Sequence, residues 1–219
     1  MKKLLLSLAL IILPVVSLAD EENANRVHWS LELKGGANFP AAPNWQDFYG
    51  KSSTSEFGSS LAYKVIRQIE VGIEGTYLSA NGNGQALLHG GQPAQASQVS
   101  YELIPLNVFV LARGVISEDQ LLVPYLGGGW TRMFYREEVN GQNMTVRGST
   151  DGYHVRGGVQ LLLDTIDPCS AKNLYDEFKV YHTYFFTEAK YTHAVAGTNP
   201  SGTVNLGGIS YLGGLLFEF

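Results

Sequence analysis

The stretch HWSLELKGGANF, residues 28–39, puts Trp29, Leu31, Leu33, Gly35, Ala37 and Phe39 at one parity and Ser30, Glu32, Lys34, Gly36 and Asn38 at the other. Successive side chains of a strand point to opposite faces, so this is a strand with an apolar side and a polar one. The pattern recurs. Residues 69–79 set Ile69, Val71, Ile73 and Tyr77 against Glu70, Gly72, Glu74 and Thr76. Residues 150–162 set Tyr153, Val155, Val159 and Leu161 against His154, Arg156, Gly158 and Gln160. Eight such segments follow along the chain, near 28–39, 57–66, 69–79, 99–112, 121–136, 150–162, 179–193 and 203–219. They are long beside the ~5–6 residues usual for globular strands.

The connections sort by position. Residues 40–56, 80–98, 137–149 and 194–202 are long or polar and rich in Gly, Asn, Ser and Gln, whereas 67–68 and 113–120 are short. The sixth connection reads as a short helix, with Asp167 as N-cap and Pro168 in the first turn. Alternating long and short connections predict an all-β, eight-stranded antiparallel barrel of up-and-down topology, its long loops at one end.

Composition narrows the class. Of 219 residues 45% are hydrophobic and only 16% charged, below the ~25% of average soluble domains, which excludes a disordered chain. A net charge of -5 without a basic cluster argues against nucleic acid as a partner. Residues 1–19 read as a secretory signal peptide: Lys2 and Lys3 lead an apolar run over 4–16, and Ser17 and Ala19 set the small residues of a cleavage site. Residues 20–219 then form one domain, and no run there reaches the ~18 apolar residues of a membrane helix.

Alternation alone does not say which face is inside. A lipocalin-like barrel hides its apolar face around a ligand, whereas a membrane barrel turns it to lipid. The aromatics favour the membrane. At apolar parity, Phe39, Phe57, Tyr77, Tyr101, Tyr135, Tyr153 and Tyr191 fall near the long-loop end, and Trp29, Tyr63, Tyr125, Tyr181, Phe217 and Phe219 near the other. Amphipathic rings settle at headgroup depth, so two girdles have a physical cause in a bilayer. The opposite parity carries Glu32, Lys34, Lys64, Glu70, Glu74, Glu102, Arg132, Arg136, His154, Arg156, Glu188, Lys190 and Glu218. In a narrow barrel these must pair inside it, since an unpaired buried charge is costly. Pro105 removes a ladder donor and predicts a bulge; around it apolar residues fall on both parities, and Trp130 and Phe134 sit on the nominal interior face.

The last strand carries a resemblance. Ile209, Tyr211, Gly213, Leu215, Phe217 and Phe219 alternate to a closing Phe, similar to the C-terminal signal by which bacterial outer-membrane barrels engage their insertion machinery. IPLNVFVLARG at 104–114 and PYLGGGWTRMFY at 124–135 resemble strands of small OmpA- and OmpW-type barrels. The resemblance implies an integral outer-membrane barrel with both termini and the helix periplasmic. It implies Tyr211, Leu215, Phe217 and Phe219 as the insertion signal, lipid and lipopolysaccharide as partners, and no peptidoglycan-binding domain. Oligomeric state is not legible.

The chemistry is quieter. Some small outer-membrane barrels are lipid A acylases, deacylases or proteases, for which His89, His193, Ser201 and Asp151 are the candidates near the outer loops, but His193 lacks the following Ser of a deacylase pattern. His154 and His182 read as members of an interior network. Five scattered His and one Cys predict no metal site, and no cofactor. Gly127, Gly128 and Gly129 lack the Lys and helix start of a phosphate loop and read as room for strand curvature. Cys169 reads as an inert thiol, and the sequon at Asn143 as chance. The expectation is a non-enzymatic outer-membrane barrel, structural or binding and passing small molecules, hydrophobic ones among them. The alternatives are surface interaction through the Trp45, Phe48 and Tyr49 loop and the Gly/Gln-rich second loop, and a lipid A-modifying enzyme.

Overall fold

The computed structural model describes residues 27–43, 45–85, 93–117, 120–139, 144–197 and 202–219. The expected leader, His89, Asn143 and Ser201 lie outside the described residues. The elements run β1 (Trp29–Pro40), α1 (Trp45–Tyr49), β2 (Thr54–Ile66), β3 (Ile69–Gln85), β4 (Pro93–Arg113), β5 (Leu122–Val139), β6 (Met144–Leu162), α2 (Pro168–Phe178), β7 (His182–Gly197), β8 (Thr203–Asn205) and β9 (Gly208–Glu218). Antiparallel pairing follows the order β6-β5-β4-β3-β2-β1-β9-β7, and β7 returns to β6. The fold is a closed eight-stranded meander barrel; β8 is a short extension paired to the end of β7. Closure matters physically because it leaves no ladder with unpaired amides. No helix among the described residues is long and apolar enough to cross a membrane.

The strands reach further at the loop end than alternation suggests. β3 to β6 run 17 to 21 residues, against 12 for β1 and 11 for β9, so one wall stands higher than the other. The outer surface carries an apolar belt. In β1 it runs from Trp29 to Phe39, both exposed, about 33 Å along the strand and about 25 Å along the axis at a tilt of about 40°. Exposed rings edge it: Trp29 meets Tyr63 edge-on at 5.2 Å at the turn end, and Phe39 meets Tyr211 at 6.0 Å near the loop end. Phe57, Tyr77, Tyr153, Tyr181, Tyr191 and Phe219 are exposed on the same surface, and Phe217 is half-buried there.

Two strands lie opposite to the expected parity. In β4 the odd residues face inward, so Tyr101 is buried in the lumen while Glu102 is on the outer wall. In β5 Tyr125 is buried and Tyr135 half-buried on the lumen side, while Arg132 and Arg136 point outward with Trp130 and Phe134. Tyr101, Tyr125 and Tyr135 therefore leave the girdles, and Glu102 and Arg132 leave the interior set. The physical reason is that the lumen beside β4 is itself apolar, with Leu103, Phe109 and Leu111 buried there, so both faces of that strand are hydrophobic. The charges of β5 rise above the belt, where side-chain partners stand beside them: Arg132 lies 3.3 Å from Asp151 and Arg136 2.7 Å from Glu138.

The expected bulge at Pro105 is absent. The β3–β4 register is constant from Ile69 opposite Ala112 to Asn83 opposite Gln98, and the ladder simply skips the rungs at Ile104 and Pro105. The glycines of β5 set the β4–β5 approach: a Cβ on Gly129 would collide with the Val108 carbonyl oxygen, and one on Gly127 would lie 2.5 Å from that of Val110.

Candidate functional site

The lumen holds the chemistry-bearing side chains, and it is layered. At its centre three cations and four carboxylates meet from β1, β2, β3, β6 and β7. The Arg156 guanidinium lies 2.9 Å from Glu32, 2.8 Å from Glu74 and 2.8 Å from Glu188. Lys34 donates to Glu74 and lies 3.1 Å from Glu32 and 3.6 Å from Glu188. Lys190 bridges Glu56 at 2.6 Å and Glu74 at 3.0 Å. Neutral donors complete the carboxylates: Ser60 to Glu32 at 2.6 Å, Asn107 to Glu74 at 2.7 Å, Tyr125 to Glu188 at 3.1 Å and Ser210 to Glu56 at 2.5 Å. All seven charged groups are buried. Such groups are stable inside only when paired and multiply hydrogen-bonded, and each here is shared between strands on different sides of the barrel. Phe109 lies beneath Arg156, its ring centroid 4.5 Å from the guanidinium carbon.

A second cluster lies toward the turn end. Glu218 sits 2.6 Å from Lys64 and 2.6 Å from Arg113, which also reaches Glu70 at 2.8 Å. Arg113 stands over the Tyr184 ring at 5.4 Å, and Val123, Leu162, Tyr184, Phe186 and Leu216 pack together beside it.

The loop end is filled differently. Trp45 and Tyr49 of α1 turn into the mouth and pack with Ala42, Leu78, Val99, Tyr101, Leu103, Met133, Ala194, Ala196, Val204 and Leu206. Trp45 stacks against Tyr49 at 4.2 Å and meets Tyr101 edge-on at 5.3 Å. A polar anchor of α1 into the lumen is the Tyr49 hydroxyl, which donates to buried Glu137 at 2.8 Å. Burial and the Glu137 carboxylate push the Tyr49 phenol well above its ordinary range, so it remains a donor. Beside α1 an open cleft of about 360 Å³ is lined by Tyr49, Lys51, Ser53, Ser55 and Asn81 among others.

Of the expected interior residues, the structure brings Glu32, Lys34, Glu74, Arg156, Glu188 and Lys190 together at the centre and Lys64 and Glu70 at the turn end. His154 is buried nearby, its Nδ1 2.9 Å from the Thr131 hydroxyl. His182 lies instead at the turn, 2.8 Å from Asp164, and His193 sits 3.2 Å from Asn205. Glu102 and Arg132 belong to an outer-wall patch, with Tyr77 donating to Glu102 at 3.2 Å. Sequence reasoning missed Glu56, assigned to a loop, and Arg113, assigned to a turn. The signal for Glu56 was available: it continues the parity of Ser60 and Lys64. Trp45 and Tyr49, expected at a surface, face inward. Cys169 is exposed on α2.

The chain matches no protein-family model and no curated protein sequence. It is similar in structure to the outer membrane protein OprG of Pseudomonas aeruginosa, with 11% identity, a TM-score of 0.58, and coverage of 89% of this chain and 97% of that one. It is likewise similar to Neisserial surface protein A, with 12% identity, a TM-score of 0.52, and coverage of 87% and 96%. The fold is that of small eight-stranded outer-membrane barrels.

Proposed function

We propose that this chain is an integral outer-membrane protein whose barrel is a closed anchor rather than a pore, with both termini periplasmic and the loop-end mouth as its working face. The observation that carries this reading is the charge network across the lumen. Arg156 alone joins β6 to β1, β3 and β7, so an aqueous path through the centre would have to break several buried ion pairs at once. The apolar belt, about 25 Å tall, supplies the lipid face. The outward residues Tyr211, Leu215 and Phe217 of β9, with Phe219 just after it, serve as the handle for the insertion machinery.

The reading is non-enzymatic. Each described histidine has a structural engagement: His28 stacks on Tyr63, His154 bonds Thr131, His182 bonds Asp164 and His193 bonds Asn205. What the protein offers is binding at the mouth, where α1 closes an apolar interior and leaves the adjoining cleft open, a place suited to a small molecule with an apolar part. The outer wall above the belt faces lipopolysaccharide. Arg136 stands directly opposite Arg147 on the neighbouring strand, both exposed. The Glu138 carboxylate, 2.7 Å from Arg136, offsets the repulsion between them, and the two guanidinium groups side by side suit the phosphates of the outer leaflet.

The test is heat-dependent gel migration of the detergent-purified chain, followed by planar-bilayer conductance of the same sample. A shifted unboiled band with no steady large unit conductance is expected. A folded, inserted protein that conducts as a stable open channel would overturn the closed lumen.

A further inference from the structure

Helix α2 is specified at both ends yet buries none of its residues. Asp167 accepts from the Ser170 amide at 3.1 Å and from its hydroxyl at 2.7 Å, and Pro168 opens the first turn. At the other end Lys179 adopts a left-handed conformation at φ 58°, with the amides of Lys179 and Val180 returning to the carbonyls of Tyr175 and Leu174. That is the position where glycine usually sits, so a lysine there adds a cost. Eleven residues are too few for a helix to hold by itself in water, since isolated helices below ~12–15 residues are marginal. Its caps and its half-buried Ala171 and Leu174 tie it to the barrel, and the rest of its apolar surface is open.

The spacing says which face. Ala171, Leu174, Tyr175 and Phe178 recur at the i, i+3, i+4, i+7 positions of one stripe, while Cys169, Lys172, Asn173 and Asp176 lie on the other side. The barrel covers this stripe only in part: Ala171 and Leu174 are half-buried, Tyr175 is exposed and Phe178 is 64% exposed. The stripe is continuous with the belt. Tyr175 meets Tyr181 edge-on at 5.1 Å, and Tyr181 is exposed at the turn-end edge where β7 begins. Ile166, just before the helix, is also 64% exposed.

We infer that α2 lies flat in the headgroup layer of the leaflet on the turn side, its Leu174, Tyr175 and Phe178 stripe entering the lipid beside Tyr181 and its Cys169 and Asp176 side facing water. A short amphipathic helix with an aromatic on the apolar side is suited to that depth, where its stripe leaves water and its capped ends stay hydrated. Lys179, over the Tyr175 ring at 5.0 Å, keeps its ammonium at headgroup level. The helix thereby acts as an outrigger that fixes the height of the β6–β7 side against the bilayer. This inference rests on the membrane reading above.

The experiment refolds the full chain into phosphatidylcholine vesicles and places one nitroxide spin label per variant. The native Cys169 serves as the polar-side site; Phe178→Cys and Leu174→Cys, each in a Cys169→Ser background, serve as stripe sites. Ile73→Cys in the same background reports the belt. Collision with oxygen is compared with collision with a water-soluble nickel chelate, and heat-dependent migration confirms folding of each variant. The stripe labels are expected to show an oxygen-to-nickel ratio at least about threefold above that at Cys169, as for a buried interfacial face. Two stripe sites keep the test decisive if one variant misfolds. Equal ratios at Phe178, Leu174 and Cys169, with lipid contact at Ile73, would overturn the inference and leave the membrane reading standing, the stripe then being free or reserved for a protein partner. Water contact at Ile73 would overturn both.

Discussion

Toward the turn end and at its centre the lumen is held by charge, while at the loop end it is held by apolar packing under a five-residue helix. Arg156, Lys34 and Lys190 are each tied to two or more carboxylates on different strands, an arrangement with fixed directions that tolerates no sliding. The Trp45 and Tyr49 cap is held, among the described residues, by non-directional burial and a polar anchor at Glu137. The difference teaches that the two regions resist opening unequally: the first opens only with the barrel, the second when one loop lifts.

The sharpest way to break that contrast is Arg156→Leu. It strips Glu32, Glu74 and Glu188 of a shared partner inside the barrel, and a loss of roughly 3–5 kcal/mol is expected in urea unfolding from vesicles. A loss within experimental error would mean that water already reaches the centre. A smaller effect is expected of Gly129→Ala, which drives a methyl against the Val108 carbonyl on the wall that seats Phe109 under Arg156. About 1–3 kcal/mol should be lost on the same unfolding curve. Smaller again is Tyr49→Phe, which leaves the ring packed but withdraws the donor from buried Glu137, at a cost of about 1–2 kcal/mol. Its effect should be local: faster protease cleavage within residues 41–53 at an almost unchanged unfolding midpoint. A midpoint shift as large as that of Arg156→Leu would erase the distinction between cap and core.

The smallest effect belongs to the turn end outside the lumen. Hydrogen bonds from Ser170 hold the Asp167 carboxyl below its usual range. A depressed folded pKa contributes above the unfolded value and is lost as pH falls through the folded one. The α2 cap is therefore whole at neutral pH, and the protection of the amides of residues 169–172, relative to their intrinsic exchange rates at each pH, should fall only once pH drops below the ordinary carboxylate range. Asp167→Asn should flatten that dependence, since an amide caps without titrating.

How legible all this was in the sequence varies from strand to strand. β1, β3, β6 and β7 show their orientation because one face is the exposed apolar belt and the other meets charge, so parity separates Leu33 from Lys34 and Val155 from Arg156. β4 hides it: Leu103 and Phe109 line an apolar part of the lumen while Ile104 and Val108 face out, and alternation between two hydrophobic environments leaves no mark. β5 misleads, because Arg132 and Arg136 are charged for the opposite reason to Arg156, standing on the outer wall above the apolar belt rather than inside the barrel. The identity of the charged residues was legible at most of the central site, but their partners were not. Glu74 and Arg156 are 82 residues apart, Glu56 and Lys190 134. Such pairs follow from closure and stagger, which no local pattern encodes.

Closure also sets the order in which the molecule can become itself. β9 lies between β1 and β7, and its Glu218 pairs with Ser30 on one side and His182 on the other. The same carboxylate is what Lys64 and Arg113 share. Contacts across so long a stretch of chain give a high contact order and a late, slow closing step. Until β9 docks, β1 and β7 present open edges and two lumen cations lack a common anion, so the unfinished chain is both sticky and electrostatically incomplete. The turn-end charge cluster is thus completed only when the ring is, so one carboxylate couples the closing of the backbone ladder to the pairing of the lumen charges.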